Sequence, residues 1–255
     1  MSSPKLIFFQ FKTRLQNPDY PTSPNVWRVR LALNYKNLPF TTVWVDGPEI
    51  AKTCIAECIP NLDFFADGTP HYTLPALIDA TNPDAPVKLV DSKRIVDYLE
   101  DTYPEIDPQR ALYPPGTKSF QALAYYFFRE AVMIHLRPLS VAGAAALQTD
   151  RTCAAYLVRH RESYEKAQRM EESGREKGWE TAKSALDLME SFIAENGDPQ
   201  APYFAGQNIT FTDLSIAANL IYLKLSLGDQ EFDKHIRAHN GGRWGRLLDA
   251  FAKYM

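Results

Sequence analysis

Two short motifs place a serine hydroxyl at the start of a predicted helix, where a small anion can bind. Ser23 stands directly before Pro24, a pairing that predicts a helix beginning at Pro24 with Ser23 as its cap. Asp91-Ser92 precedes an apolar pattern with helical spacing that ends at Pro104. The first backbone N–H groups of a helix lack intrahelical acceptors and carry the positive end of its dipole. Both motifs therefore predict positions that can hold a carboxylate or a thiolate.

A third motif lies between these two, where Leu74-Pro75 leads into the short apolar run 76–78. A proline entering a strand cannot donate to the ladder, and X-Pro bonds are where cis peptides occur. A cis bond here turns the N–H and C=O of Leu74 toward a ligand and offers an extended peptide a strand-like pair of hydrogen bonds. Taken singly, Pro75 also fits the start of an edge strand in trans, and Ser92 an ordinary helix cap. The order of turn, proline, strand, turn, strand, acid, serine and helix within residues 72–103 favours a binding site.

The elements that must position these motifs follow a βαβαββα order. The apolar run 5–11 predicts a first strand, and the helix that begins at Pro24 has apolar residues that can face a sheet. Residues 40–45 are β-branched and aromatic and predict the second strand. A short helix over 49–59, strands at 76–78 and 87–90, and the helix after Asp91-Ser92 complete the arrangement. This order predicts an α/β domain of the thioredoxin-like type.

The second half of the chain is predicted to be all-α. Residues 104–116 hold four prolines and predict a linker between a domain at 1–103 and a helical domain at 117–255. Thr210-x-x-Asp213 is a capping box with Ile209 and Leu214 as its hydrophobic staple, to which we assign a role in folding. Helical patterns cover residues 119–139, 152–173, 178–195, 213–227, 231–238 and 244–254.

The composition of the 255 residues is that of an ordinary globular protein and argues against several classes. Hydrophobic residues make up 45%, charged residues 23%, and the net charge is −3, which predicts no nucleic-acid partner. No apolar run approaches the ~18 to 20 residues that span a bilayer, and the N-terminus lacks the features of a signal peptide. Three cysteines are too few for a secreted disulfide framework, which fits a reducing cytoplasm, and no cluster predicts a metal site.

The stretch TLPALID, followed by a second strand and VDSKRIVDYLEDTYP, resembles the glutathione-binding half of the cytosolic glutathione transferases. In that family the residue before a cis-proline pairs with the cysteine backbone of glutathione, and the acid-serine pair holds its γ-glutamyl end. The resemblance places these roles on Leu74, Pro75, Asp91 and Ser92. It also implies glutathione as a co-substrate, no metal and a cytoplasmic homodimer without a membrane partner.

Ser23 is the candidate for chemistry, because it stands at the start of the first helix, close in the predicted fold to a thiol lying along Leu74-Pro75. Its hydroxyl can donate a hydrogen bond to a thiolate. Together with the positive helix end, this bond lowers the thiol pKa from a reference of about 8.5 and yields a nucleophile at neutral pH. The simpler role is that the same oxygen caps the helix, and the two roles are compatible. Asn25 is a candidate for a second polar contact to the thiol.

A serine at this position resembles the serine-type glutathione transferases, and SPNVWRVRLALNYKNLPFTTVWV is most like the fungal etherase-like and bacterial β-etherase-related members. The resemblance implies attack on hydrophobic aromatic electrophiles, aryl ethers or hydroperoxides, with the helical domain contributing the hydrophobic substrate site. Two alternatives stay open: a ligandin that carries aromatic or polyphenolic compounds with little turnover, and an interaction module that binds no glutathione. Aromatic residues crowd one predicted helix, where some belong to the core and two can face a ligand: Phe120, Tyr125, Tyr126, Phe127 and Phe128.

Overall fold

The structure is a computed structural model that describes residues 4–15, 20–198 and 201–255. The chain divides into two units, of which the first comprises Met1–Pro104, Leu147–Tyr156 and Tyr254–Met255, and the second Glu105–Ala146 and Leu157–Lys253. The first unit is α/β and thioredoxin-like, and the second is helical, as the sequence predicts. Among the helices in the described ranges, none has the length and apolar character needed to cross a membrane.

Strands are interspersed with α-helices in the part of the first unit that precedes Pro104. Its strands and helices are, in chain order, β1 (Leu6–Phe11), α1 (Pro24–Tyr35), β2 (Phe40–Val45), α2 (Ile50–Ala56), β3 (Asp63–Phe64), β4 (Pro70–His71), β5 (Ala76–Asp79), β6 (Val87–Val90) and α3 (Ser92–Thr102). The predicted βαβαββα order is confirmed, with the short hairpin β3–β4 as an addition. The predicted helix at 49–59 is shorter than expected, because the chain leaves helical geometry at Cys58, whose φ is 50°.

A four-stranded mixed sheet in the order β2-β1-β5-β6 forms the centre of this unit. β1 runs parallel to β2 and antiparallel to β5, and β6 runs antiparallel to β5. On one face of the sheet the ring of Phe8 contacts that of Phe40, and the guanidinium of Arg30 in α1 lies over Phe40, so α1 covers this face. The opposite face carries an apolar cluster that includes Phe9, Val45, Ala76, Ile78 and Val90.

The segment Leu147–Tyr156 belongs to the first unit although it is more than forty residues beyond Pro104 in the chain. The carboxylate of Asp46 accepts hydrogen bonds from the hydroxyls of Thr149 and Thr152, at 2.5 and 2.7 Å. The backbone N–H of Gly47 donates to the Thr152 hydroxyl at 2.8 Å. The bond from Thr149, more than any other contact, holds the pKa of Asp46 below its usual range. These contacts join residues about 100 positions apart and cannot be read from any local pattern.

The described residues beyond Pro104 are mainly helical. The helices are α4 (Lys118–Phe127), a π-helical turn (Phe128–Met133), α5 (Ile134–Ala146), α6 (Asp150–Arg159), α7 (Arg161–Gln168), α8 (Glu172–Ala194), α9 (Phe211–Leu227), α10 (Asp229–Phe232), a second π-helical turn (Asp233–Arg237) and α11 (His239–Phe251).

The predicted helix boundaries in this half need three corrections. The pattern at 119–139 continues past Pro138 to Ala146, although a proline inside a helix removes one backbone donor and its ring crowds the carbonyl one turn earlier. The single helix predicted at 152–173 is two helices, since His160, with φ −108° and ψ 22°, interrupts the helical geometry. The helix predicted at 178–195 begins earlier, at Glu172.

The predicted capping box at the start of α9 is confirmed. The carboxylate of Asp213, which is 1% exposed, accepts from the N–H and the hydroxyl of Thr210 at 3.0 and 2.6 Å. The N–H of Phe204 donates to its other oxygen at 2.6 Å. Burial raises the pKa of the Asp213 carboxyl to about 6, although these three hydrogen bonds act in the opposite direction.

This raised pKa predicts a pH-dependent contribution to stability. Because the folded value lies above the unfolded value of about 3.9, the contribution of Asp213 is fully present below pH about 4 and is lost as the pH rises through about 6. The two units of pKa difference correspond to about 3 kcal/mol. We expect the unfolding free energy of the wild type, relative to Asp213→Asn, to fall between pH 4 and 7.5. Urea unfolding of both proteins at the two pH values measures this, and a difference that stays constant contradicts it.

Candidate functional site

Ser23 stands immediately before α1, and its hydroxyl is not used to cap the helix. Its backbone is extended, with φ −73° and ψ 130°, and its carbonyl oxygen accepts from the N–H of Trp27 at 3.0 Å. No capping bond to its side-chain oxygen is formed within the described part of the chain. Pro24 follows as the first helical residue and has no N–H. Ser23 is partly exposed and lies at the positive end of α1.

The residues that lead into α1 are held firmly in place. The indole N–H of the fully buried Trp27 donates to the carbonyl of Pro21 at 2.7 Å. Thr22, which is also buried, accepts a hydrogen bond at 2.9 Å from the side-chain amide of Gln148. Both contacts precede Ser23 by one or two residues in the chain, so they fix the position from which its hydroxyl projects.

The register of the sheet brings the three predicted motifs to one end of the first unit. Ala76 pairs with Phe9 on one side and with Val90 on the other. Pro75 precedes Ala76 and Asp91 follows Val90, so both leave the sheet at the end where β1 finishes. α1 connects the parallel strands β1 and β2 and therefore begins at the same end. Ser23, Leu74-Pro75 and Asp91-Ser92 are thus grouped by the topology itself.

The peptide bond between Leu74 and Pro75 is cis. The side chain of Leu74 is buried in the apolar cluster of the sheet. Within the described residues, the N–H of Leu74 donates to no protein acceptor. One backbone donor beside the cis bond is therefore unused within the described residues.

Asp91 caps α3 from an unusual backbone conformation. One oxygen of its carboxylate, Oδ1, accepts from the N–H groups of Lys93 and Arg94, both at 3.0 Å. Its φ is 74° and its ψ is 119°, a region that non-glycine residues rarely adopt and that costs of order 1–3 kcal/mol. Such strain is found most often at ligand-binding positions. The Asp91 carboxylate is consequently fixed at the N-terminus of α3, next to Ser92 in the chain.

Ser92 is in contact with a buried arginine that the sequence patterns did not single out. Its hydroxyl oxygen accepts from Nη1 of Arg28 at 2.6 Å, and the two residues are 5% and 4% exposed. The same Nη1 donates to Oδ1 of Asn25 at 3.2 Å. Arg28 lies among the buried residues of α1, and a charged residue within an apolar helix face is the signal that points to it.

Two further contacts fix α3 against its neighbours. Lys36, at the end of α1, and Glu100 form an ion pair at 2.8 Å in which both side chains are largely buried. The hydroxyls of Tyr98 and Tyr103 donate to the Asp79 carboxylate of β5, with a distance of 2.9 Å for Tyr98. Burial acts to raise the pKa of Asp79, but the hydrogen bonds it accepts outweigh burial and hold the pKa below its usual range. Burial and the bond to Asp79 raise the pKa of Tyr98 to about 12.

The aromatic residues predicted near the substrate site fall into two groups. Phe128 is completely buried, and the ring of Tyr125 packs edge-on against Phe211, so both belong to the interior of the helical unit. Phe120 and Tyr126 are 70% and 56% exposed and are the rings that α4 offers to a ligand or partner. Among residues 4–15, 20–198 and 201–255, no group of three or more His, Cys, Asp or Glu side chains is arranged to hold a metal ion.

Comparison with known protein families matches both parts of the chain. Residues 18–108 match the model of the glutathione S-transferase N-terminal domain, and residues 119–254 match that of the C-terminal domain. The chain belongs to the glutathione S-transferase family. The resemblance based on the Leu74-Pro75 and Asp91-Ser92 motifs is thereby confirmed at the level of the family.

Solved structures of fungal glutathione transferases are similar over nearly the whole chain. Glutathione transferase GSTFuA3 from Phanerochaete chrysosporium is 30% identical, with a TM-score of 0.87, and the match covers 100% of this chain and 98% of that one. A glutathione S-transferase of Ceriporiopsis subvermispora, solved in complex with glutathione, is 27% identical, with a TM-score of 0.85 and coverage of 98% and 97%. Glutathione is the co-substrate of this family.

A curated relative matches over a shorter region. The glutathione S-transferase-like protein ustS of Aspergillus flavus is 32% identical over 117 residues, which are 45% of this chain. The match spans only 40% of the length of that relative. This shorter match is consistent with the assignment of the chain to the glutathione S-transferase family.

Proposed function

We propose that this glutathione transferase activates the thiol of glutathione with the Ser23 hydroxyl. The observation that carries the proposal is that this hydroxyl makes no capping bond within the described residues, although it stands at the positive end of α1. A hydroxyl donor and a helix N-terminus both favour a thiolate over a thiol, so the pKa of the bound thiol falls. Asn25, two residues further along the chain and exposed, supplies a second polar contact to the sulfur.

The remaining motifs hold the peptide. The backbone N–H and C=O of Leu74, placed by Pro75, pair with the cysteine residue of glutathione in the manner of an added strand. The hydroxyl of Ser92 and the first N–H groups of α3 receive the γ-glutamyl carboxylate. Oδ2 of Asp91 receives the γ-glutamyl ammonium, since both capping bonds of Asp91 go to Oδ1.

The reaction is attack by the thiolate on an electrophile. The sulfur forms a bond to an electrophilic carbon while the bond from that carbon to a halide or phenolate breaks, and the leaving group departs with the electron pair. The thiol proton passes to solvent when glutathione ionises in the site. Hydrophobic aromatic electrophiles, aryl ethers and hydroperoxides are the substrates we propose, with the helical unit as the source of the hydrophobic substrate site. With a hydroperoxide, the sulfur forms a bond to the terminal peroxide oxygen while the O–O bond breaks, and the alkoxide leaves and takes a proton from solvent. The sulfenic acid of glutathione then reacts with a second glutathione thiol to give the disulfide and water. We take the working form to be a cytosolic homodimer, as the family resemblance implies.

Retention on immobilised glutathione, followed by turnover of an electrophilic aryl halide, tests this proposal. We expect both retention and turnover, with turnover strongly reduced in Ser23→Ala. A protein that binds aromatic phenols equally in wild type and Ser23→Ala, with negligible turnover in either, acts instead as a ligandin. A protein that binds neither glutathione nor phenols contradicts both functions.

A further inference from the structure

The Arg28 guanidinium connects the two ends of the proposed glutathione site. Nη1 carries two hydrogens, and one donates to the hydroxyl oxygen of Ser92 while the other donates to Oδ1 of Asn25. Ser92 belongs to the γ-glutamyl end of the site and Asn25 to the thiol end. One nitrogen atom of a buried side chain therefore contacts both ends.

The hydrogen bond from Arg28 determines what Ser92 can offer to a ligand. Because the serine oxygen accepts from Nη1, its own proton is directed away from the guanidinium and can be donated to another acceptor. A donor that is itself charged makes the stronger kind of hydrogen bond and polarises the hydroxyl. A carboxylate bound to Ser92 also lies close to a buried positive charge, whose effect is larger than at the surface.

We propose that Arg28 is a positioning residue for glutathione, which acts through Ser92 on the γ-glutamyl α-carboxylate. This inference rests on the proposed function, because it takes Ser92 as the anchor of that carboxylate. Through Asn25, the same arginine holds the first turn of α1, which directly follows Ser23, in a fixed position relative to Ser92. The parts of the site that bind the γ-glutamyl carboxylate and the sulfur are then held at a separation that matches the length of glutathione.

The role requires the geometry of arginine as well as its charge. A guanidinium presents its donors in a rigid plane, whereas a lysine ammonium is a compact charge on a flexible stem. Because Nζ of a lysine stands one bond closer to the backbone than Nη1 of Arg28, Arg28→Lys keeps the positive charge but lengthens the contacts to Ser92 and Asn25. Arg28→Met removes both contacts and the charge while it retains much of the apolar length of the side chain.

Binding of two ligands to a set of variants tests the proposal. The first ligand is glutathione, and the second is an analogue whose glutamyl α-carboxylate is replaced by a carboxamide. Titration calorimetry is carried out with the wild type, Arg28→Lys, Arg28→Met and a matched control, Arg30→Met. Arg30 stands on the same helix with its guanidinium over the ring of Phe40. The midpoint of thermal unfolding is recorded for each variant.

We expect Arg28→Met to lose about tenfold or more in affinity for glutathione, as the loss of a charge-assisted contact predicts. Its affinity for the carboxamide analogue should change little, and Arg28→Lys should fall between wild type and Arg28→Met. Arg30→Met should keep the wild-type preference for glutathione over the analogue. If the role of Arg28 is purely structural, Arg28→Met lowers the affinity for glutathione and for the analogue by the same factor, and that outcome overturns the inference.

A double-mutant cycle with Ser92→Ala keeps the test decisive if Arg28→Met does not fold. Since Arg28 acts through Ser92, Arg28→Lys should add little to the loss of glutathione affinity already caused by Ser92→Ala. Fully additive losses overturn the inference while the proposed function stands. A wild-type protein that binds no glutathione overturns the proposed function, and the inference with it.

Discussion

Gly143→Ala is expected to lower the free energy of unfolding by about 3 kcal/mol or more. Gly143 lies in α5, and a Cβ atom built there would be 1.7 Å from the backbone carbonyl oxygen of Ser226 in α9. No rotamer change relieves this contact, because the atom that obstructs it belongs to the backbone. The two helices must separate, and the buried contacts around them loosen. Urea unfolding followed by circular dichroism measures the effect.

Gly178→Ala is the matched control and is expected to have the opposite sign. Gly178 lies in α8, where the nearest atoms to an added Cβ are the carbonyl oxygen of His135 at 3.5 Å and a methyl group of Leu139 at 3.6 Å. These are ordinary van der Waals distances, and alanine within a helix is favoured over glycine by about 0.5–1 kcal/mol. Equal destabilisation by both substitutions would contradict the close approach of α5 and α9.

Ser23→Ala is expected to lower kcat/KM for an aryl halide by about 100-fold while the affinity for glutathione changes little. A hydrogen bond to a charged group is worth about 1.5–3 kcal/mol, which corresponds to roughly 10- to 150-fold. The loss appears in the ionisation and reactivity of the thiol, since the groups that hold the peptide lie on Leu74, Asp91 and Ser92. Steady-state kinetics with both substrates varied separates the two effects.

Ser23→Thr provides the control for this substitution because it keeps a hydroxyl at the same position. It should retain most of the activity that Ser23→Ala loses. A large loss in glutathione affinity in Ser23→Ala, together with an unchanged rate at saturation, would show that Ser23 serves binding and not activation.

The parts of the site that were predictable from sequence are those with local signals. Ser-Pro marks the start of α1, an acid followed by serine marks the start of α3, and Thr210-x-x-Asp213 marks the start of α9. Each motif lies within one turn of its helix, so it can be recognised in the sequence without knowledge of the rest of the fold. The roles of Ser23, Asn25, Leu74, Asp91 and Ser92 toward glutathione stay predictions.

The parts that were not predictable depend on contacts between distant residues. Arg28 reaches Ser92 across 64 positions, and Thr149 reaches Asp46 across 103. Neither contact leaves a periodic pattern, because each involves a single polar side chain on an otherwise ordinary element. The hairpin β3–β4 has two residues in each strand, which is too short to produce an alternating signal.

Titration of bound glutathione by the ultraviolet absorbance of its thiolate tests the central claim most directly. The wild type and Ser23→Ala are compared across the pH range in which the free thiol, with a pKa of about 8.5, ionises. We predict that the thiol bound to the wild type ionises at least one pH unit below the free thiol, a shift of about 1.4 kcal/mol, and that Ser23→Ala abolishes most of this shift. Glutathione that binds to the wild type with an unshifted thiol pKa would contradict the account.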